Sequence, residues 1–212
     1  MAHGLTTQES RLLAALDTPR KVQDFLEAVP MPFGESPQRC RSPRQVLREG
    51  AAFCMEGAML AAAALRFQGR RPLVLDLESA PHDDDHVIAV FREGGFWGAI
   101  SKTNHAVLRW RDPVYRTIRE LALSYFHEYV DDAGRKTLRS YSAPVDLARF
   151  DRRNWMSSPD DVWFVPEYLA DVRHTSLLTR LQRARLRPAD PVERIAGNLV
   201  TYPTKPASIV DP

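Results

Sequence analysis

The feature that most constrains this 212-residue chain is the stretch Ala51 to Phe67, Ala-Ala-Phe-Cys-Met-Glu-Gly-Ala-Met-Leu-Ala-Ala-Ala-Ala-Leu-Arg-Phe, set between Gly50 and Gly69. Alanine, methionine and leucine are strong helix formers, and the glycines on either side supply a stop before it and an end after it. A helix with so little polarity on any side has to be enclosed by the rest of the fold. Its longest uninterrupted apolar run, Ala58 to Leu65, is well short of the ~20 residues that a membrane-spanning helix requires. The expectation is therefore a globular fold built around one buried helix, with Cys54 in its first turn.

The neighbouring segments supply candidates to cover that helix. Thr7 caps a short helix running through Ala15, and Thr18-Pro19 opens a second, with Val22, Phe25, Leu26 and Val29 on one face. After a proline-rich loop at 30–37, Ser42-Pro43 repeats the cap-and-proline start. Beyond Arg71 the pattern turns to short branched apolar runs: Pro72 to Leu77, His86 to Phe91, and Phe96 to Ile100. Gly94-Gly95 between the last two predicts a hairpin. Asp112-Pro113 predicts a helix carrying Ile118, Leu121 and Tyr125 and ending near Gly134, and Lys136 to Ser142 predicts a further strand. Periodicity weakens from Ala143 on, where Leu177, Leu178 and Leu181 suggest one late helix. Nine of the sixteen prolines gather in 30–43 and 188–212, which reads as wrapping arms with an ill-ordered tail over the last ten residues.

Composition narrows the function classes. Hydrophobic residues are 44% and charged residues 26% of the chain, enough to bury a core and too much for disorder. With 29 Lys and Arg against 27 Asp and Glu, the chain lacks the concentrated positive field of a nucleic-acid binder. Two cysteines are too few for a disulfide framework. The opening MAHGLTTQESRLL has neither the basic start nor the apolar stretch of a secretory signal, so free thiols in a cytoplasmic, soluble protein are expected, with no membrane partner.

Chemistry is expected at Cys54. A helix N-terminus presents unpaired N–H groups and a positive dipole end, which favour thiolate over thiol. The plainer alternative is a small buried core cysteine. His86 favours the chemical reading, because it heads a strand directly after the polar loop Pro81-His-Asp-Asp-Asp85, where it can face the end of a neighbouring helix and take a thiol proton. A second reading takes His82 and His86 with Asp83, Asp84 and Asp85 as a metal site. On a helix that histidine spacing would converge, but here the run after His86 reads as strand, and the prediction is of no metal and no cofactor.

The stretch Arg48 to Gly69, in which a glycine-containing turn leads to Cys54 and an Ala/Leu helix closed by glycine, resembles the nucleophile segment of the transglutaminase-like, papain-related cysteine enzymes. His86 with Val87 to Phe91, followed by Trp97, resembles that family's histidine strand and the tryptophan-bearing strand after it, so the resemblance covers about residues 44–104. It implies an α+β fold: an antiparallel sheet packed on the cysteine-bearing helix, preceded by helices in 1–50, with the core at 51–142 and a partly irregular extension at 143–212, all packed as one domain. It implies thiol-based hydrolysis or acyl transfer on an amide or ester of a peptide, protein or small molecule. The acidic residue that orients the histidine usually follows the tryptophan by four positions; here that place is Ser101. Asn104 is the other candidate, by similarity to a Cys-His-Asn arrangement. For the oxyanion, the Cys54 N–H is the natural donor and Gln45 a weaker second. A catalytically silent module that binds a partner protein is the alternative that Ser101 leaves open.

Overall fold

The structure is a computed structural model and describes residues 2–32 and 39–202. Four helices come first: α1 (Thr7–Ala15), α2 (Pro19–Ala28), α3 (Pro43–Glu49) and α4 (Cys54–Phe67). Their starts follow from local chemistry. Thr6, one residue before the expected cap, forms a reciprocal capping box with Glu9, Thr18 caps α2 ahead of Pro19, and Ser42 caps α3 with Gln45 answering. Gly50 closes α3 in the left-handed region at φ 69°, a conformation that glycine adopts without cost. The proline-rich loop expected at 30–37 and the expected tail at 203–212 lie largely or wholly outside the described residues.

Strands β1 (Leu73–Glu78), β2 (His86–Glu93), β3 (Phe96–Ser101) and β4 (Arg111–Tyr115) follow, then α5 (Ile118–Ser124), β5 (Ser140–Ser142), β6 (Val145–Asp146), α6 (Phe164–Asp171), β7 (His174–Ser176), α7 (Arg180–Ala184) and α8 (Pro191–Gly197). The sheet runs β4-β3-β2-β1-β5-β7, with β6 also pairing β1. Every pairing is antiparallel. The chain is thus α+β, with the sheet packed on the Cys54 helix.

Both faces of the sheet are covered, which is why β1 and β2 read as nearly continuous apolar runs rather than alternating ones. Val74, Val87, Ala89, Phe91 and Ile100 pack with Ala58 to Leu65 of α4 in one core, while Leu73, Leu75, Leu77, Ile88, Val90 and Ala99 pack with Leu121, Tyr125 and Leu138 in a second core on the opposite face. The period of two along each strand divides the residues between the layers. Burial of α4 is almost complete from Glu56 to Leu65. No single described helix is long and apolar enough to cross a membrane.

Three expected elements differ. Asp112-Pro113 does not open a helix: it lies in β4, at the sheet edge, where a missing N–H leaves no ladder bond unmade, and α5 starts only at Ile118, capped by Thr117. The strand expected from Lys136 shortens to Ser140–Ser142. Leu177 is a buried member of the second core directly after β7 rather than part of a helix, and α7 begins at Arg180. The extension after 143 is also less irregular than expected, since β6 and β7 return to the sheet and Leu147, Phe150, Trp155 and Val165 complete the α4 core.

Candidate functional site

Cys54 is the first residue of α4. The turn that delivers it is fixed by Glu56, whose carboxylate accepts from the Phe53 N–H at 2.8 Å and from the Arg41 N–H at 2.8 Å, with the Arg41 guanidinium 3.3 Å away. Glu56 and Arg41 are both buried, and Arg41 also pairs with Glu49; removing Arg41 would leave the buried Glu56 carboxylate without its cation. Sequence reasoning missed this capping carboxylate, although a Glu three residues after the cap position is its signature. The Cys54 N–H finds no acceptor among the described residues, as expected of a first helical position.

Cys54 and His86 line the same cavity of about 960 Å³, which opens at the end of the sheet between α4, the 82–85 loop and α8. The N–H groups of Val87, next to His86, and Met55 act on the Cys54 thiol and favour its ionised form. Burial opposes them and prevails, with further opposition from the charges of Asp76 and Glu56, so the thiol pKa lies above its ordinary value. This overturns the expectation of a thiol made acidic by the helix start alone: the dipole is present, but desolvation outweighs it. Cys40, buried in the same wall, is pushed up to about 12, mainly by burial.

His86 heads β2 and Ser101 ends β3. In the hairpin register Ser101 sits opposite Ile88, so His86 is its diagonal neighbour on the same face. The His86 Nε2 lies 2.7 Å from the Ser101 Oγ, and the Ser101 hydroxyl donates in turn to the Leu108 carbonyl. A hydroxyl has one proton. With that proton committed to Leu108, Ser101 accepts from His86, which places the imidazole proton on Nε2 and leaves Nδ1 as the free basic nitrogen. Leu108 itself is in the left-handed region at φ 59°, unusual for a branched residue, and its N–H donates to the Glu128 carboxylate at 2.7 Å. Burial lowers the His86 pKa to about 4, with a smaller contribution from His105, so the ring is neutral at neutral pH.

The other sequence candidates are engaged elsewhere. Asn104 is tied to Tyr202, through its amide nitrogen to the Tyr202 carbonyl and through its amide oxygen to the Tyr202 N–H, each at 2.8 Å. Gln45 completes the α3 cap by accepting from the Ser42 N–H and donating to the Pro159 carbonyl, each at 2.8 Å, and it does not line the cavity. His82 pairs with Asp131 at 3.2 Å, while Asp83 accepts from Thr137 and Asp85 accepts from the Ser79 N–H. No group of three or more His, Cys, Asp or Glu side chains suited to a metal ion occurs among the described residues.

One wall residue escaped sequence reasoning altogether. Lys102 is buried beside Ser101, donates through Nζ to the Val29 carbonyl, and has its pKa lowered to about 8 chiefly by burial. Its stem fills the space beside Gly57, where an added Cβ would come within 2.4 Å of the Lys102 Cβ. Compared with family models and with curated proteins, the chain matches none.

Proposed function

We propose that the protein is a transglutaminase-like cysteine enzyme that hydrolyses or transfers acyl groups, with the Cys54 thiol as nucleophile and His86 Nδ1 as its base. The observation that carries the reading is the Ser101 hydroxyl, which spends its proton on Leu108 and so fixes the tautomer of His86. A base held in one tautomer and a thiol at a helix N-terminus, both lining one cavity, supply the two groups that acyl transfer needs. Nδ1 takes the thiol proton as sulfur bonds to the carbonyl carbon of an amide or ester. The negative charge that develops on the carbonyl oxygen falls to the unpaired Cys54 N–H. The imidazolium returns its proton to the departing amine or alcohol, leaving a thioester. Water or an amine, deprotonated by the same nitrogen, then attacks the thioester and restores the thiol.

Since the thiol is raised and the imidazole lowered in pKa, the resting pair is neutral, and the proton moves only during attack. A peptide or protein amide fits a cavity of this volume, and a small ester would enter it as well. The test is acylation by p-nitrophenyl acetate followed by mass measurement of the intact protein. One acetyl group on Cys54, absent in Cys54→Ser and strongly slowed in His86→Ala, is the expected outcome. Acetylation of Cys54 at the same rate without His86 would refute the reading.

A silent binding module is the second reading, and one observation favours it: Ser101 orients His86 without the negative charge that would stabilise an imidazolium. Thiol acylation decides between the two.

A further inference from the structure

We infer that Gln23, on α2 and 78 residues from Ser101 in sequence, is a positioning residue for the His86 base. The inference rests on the thiol chemistry proposed above. The Gln23 amide oxygen accepts from the Ser101 N–H at 2.9 Å and the amide nitrogen donates to the Ser101 carbonyl at 3.0 Å. Both residues are buried. The orientation of the amide is fixed independently, because Nε2 also donates to the Glu27 carboxylate at 3.2 Å, which only the nitrogen end can do.

The clamp lies where the sheet stops supporting Ser101. Strand β4 pairs with β3 at Trp97 and Ala99, with a register shift between them, and no pairing of β4 with Ser101 follows. One carboxamide, offering a donor and an acceptor side by side, takes the role that a neighbouring strand would have played. Ser101 has to direct its hydroxyl at two atoms at once, His86 Nε2 and the Leu108 carbonyl, and a residue free to turn at a strand end would satisfy one at the expense of the other. Gln23 removes that freedom. A helix with no side chain lining the cavity thereby controls which nitrogen of the base is free.

The experiment pairs Gln23→Met, which keeps length and removes both bonds, with Ser101→Ala. Two quantities are read: the iodoacetamide rate constant of Cys54 against pH, and the His86 ring nitrogen shifts by NMR above pH 6, where the two neutral tautomers differ. Each single variant is expected to slow alkylation about tenfold near neutral pH, and the double variant no further, because both remove the same orientation. In Gln23→Met the His86 shifts should move from a single Nε2–H form toward a mixture.

A residue that merely stabilised the fold would lower the melting temperature and leave the tautomer unchanged, and that result would overturn the inference, as would additive losses in the double variant. Should Gln23→Met fail to fold, Gln23→Glu keeps the acceptor for the Ser101 N–H and loses the donor, and an unaltered tautomer there overturns the inference equally. Inert Cys54 in the unaltered protein would remove the proposed function alone, since the tautomer readout needs no reaction.

Discussion

Asn104 and Tyr202 bind each other in both directions, the amide nitrogen of Asn104 reaching the Tyr202 carbonyl and the Tyr202 N–H reaching the Asn104 oxygen. The backbones continue the link, with Thr201 N–H to the Asn104 carbonyl and Ala106 N–H to the Leu199 carbonyl, each at 2.8 Å. Residues 199–202 are therefore pinned along the loop after β3. Asn104→Ala removes the two side-chain bonds and should cost about 1–3 kcal/mol, read by chemical denaturation. Alkylation of Cys54 by a small reagent should stay within about twofold of the unaltered protein, because Ser101 still holds His86. A tenfold loss of alkylation would show instead that Asn104 acts on the base.

The two thiols offer a direct comparison. Cys54 is partly exposed in the cavity, and Cys40 is 2% exposed with its pKa pushed up to about 12. Iodoacetamide should label Cys54 first by at least about tenfold in the folded protein, since access favours it. Peptide mapping after a timed quench measures this, and faster labelling of Cys40 would contradict it.

Replacing Ser101 by Asp changes two interactions at once. A carboxylate would pair with His86 Nε2–H and raise the base from its depressed pKa of about 4. It has no proton for the Leu108 carbonyl, which would then face a negative oxygen. The variant should lose about 1–3 kcal/mol of stability, while the acid limb of the acylation profile moves to higher pH and the rate near neutrality rises. A lower rate with an unmoved limb would mean that the carboxylate turns away from His86.

Two buried groups give opposite pH dependences of stability. His86 titrates near 4 in the folded protein against an ordinary 6.5. The unfolded chain takes up that proton first, so stability is lost as pH falls from 6.5 toward 4, by an amount on the order of 3 kcal/mol. Asp76 is raised from 3.8 to about 6, chiefly by burial, with His174 3.0 Å away holding it down in part. There the folded chain holds the proton, so stability is lost as pH rises from 3.8 toward 6. The two offset each other over much of this range. His86→Gln should expose a fall in stability with rising pH, and Asp76→Asn should leave a rise, both visible as melting temperature across pH 4 to 6.5.

Much of the fold could be read from local signals. Ser42-Pro43, Gly50 and Gly94-Gly95 act within a few residues of themselves, and their elements stand where the sequence puts them. Asp112-Pro113 misled because a proline start and an edge-strand proline look alike until the neighbouring strands are known. In the candidate site, Cys54 and His86 stood out because they fall at the start of a helix and at the head of a strand, whereas Ser101 was marked only by its distance from Trp97 in the family resemblance. Gln23 and Lys102 were not, since their polar partners are 78 and 73 residues away in the chain and a lone buried amide or ammonium has no periodicity. Leu108 was equally hidden, because its contribution is a backbone carbonyl.

The Gly94-Gly95 turn has a consequence for how this protein can vary. It sets the register that places Ser101 opposite Ile88 and thus beside His86, and both glycines occupy positive φ, at 57° and 90°. One residue inserted there would slide β3 by a single step and present Ser101 to the α4 face instead. Surface loops commonly absorb insertions, but this one transmits any change in length to the far end of its strands. A lineage keeping the His86–Ser101 pair is bound to keep that turn at two residues or to gain and lose residues there in compensating steps.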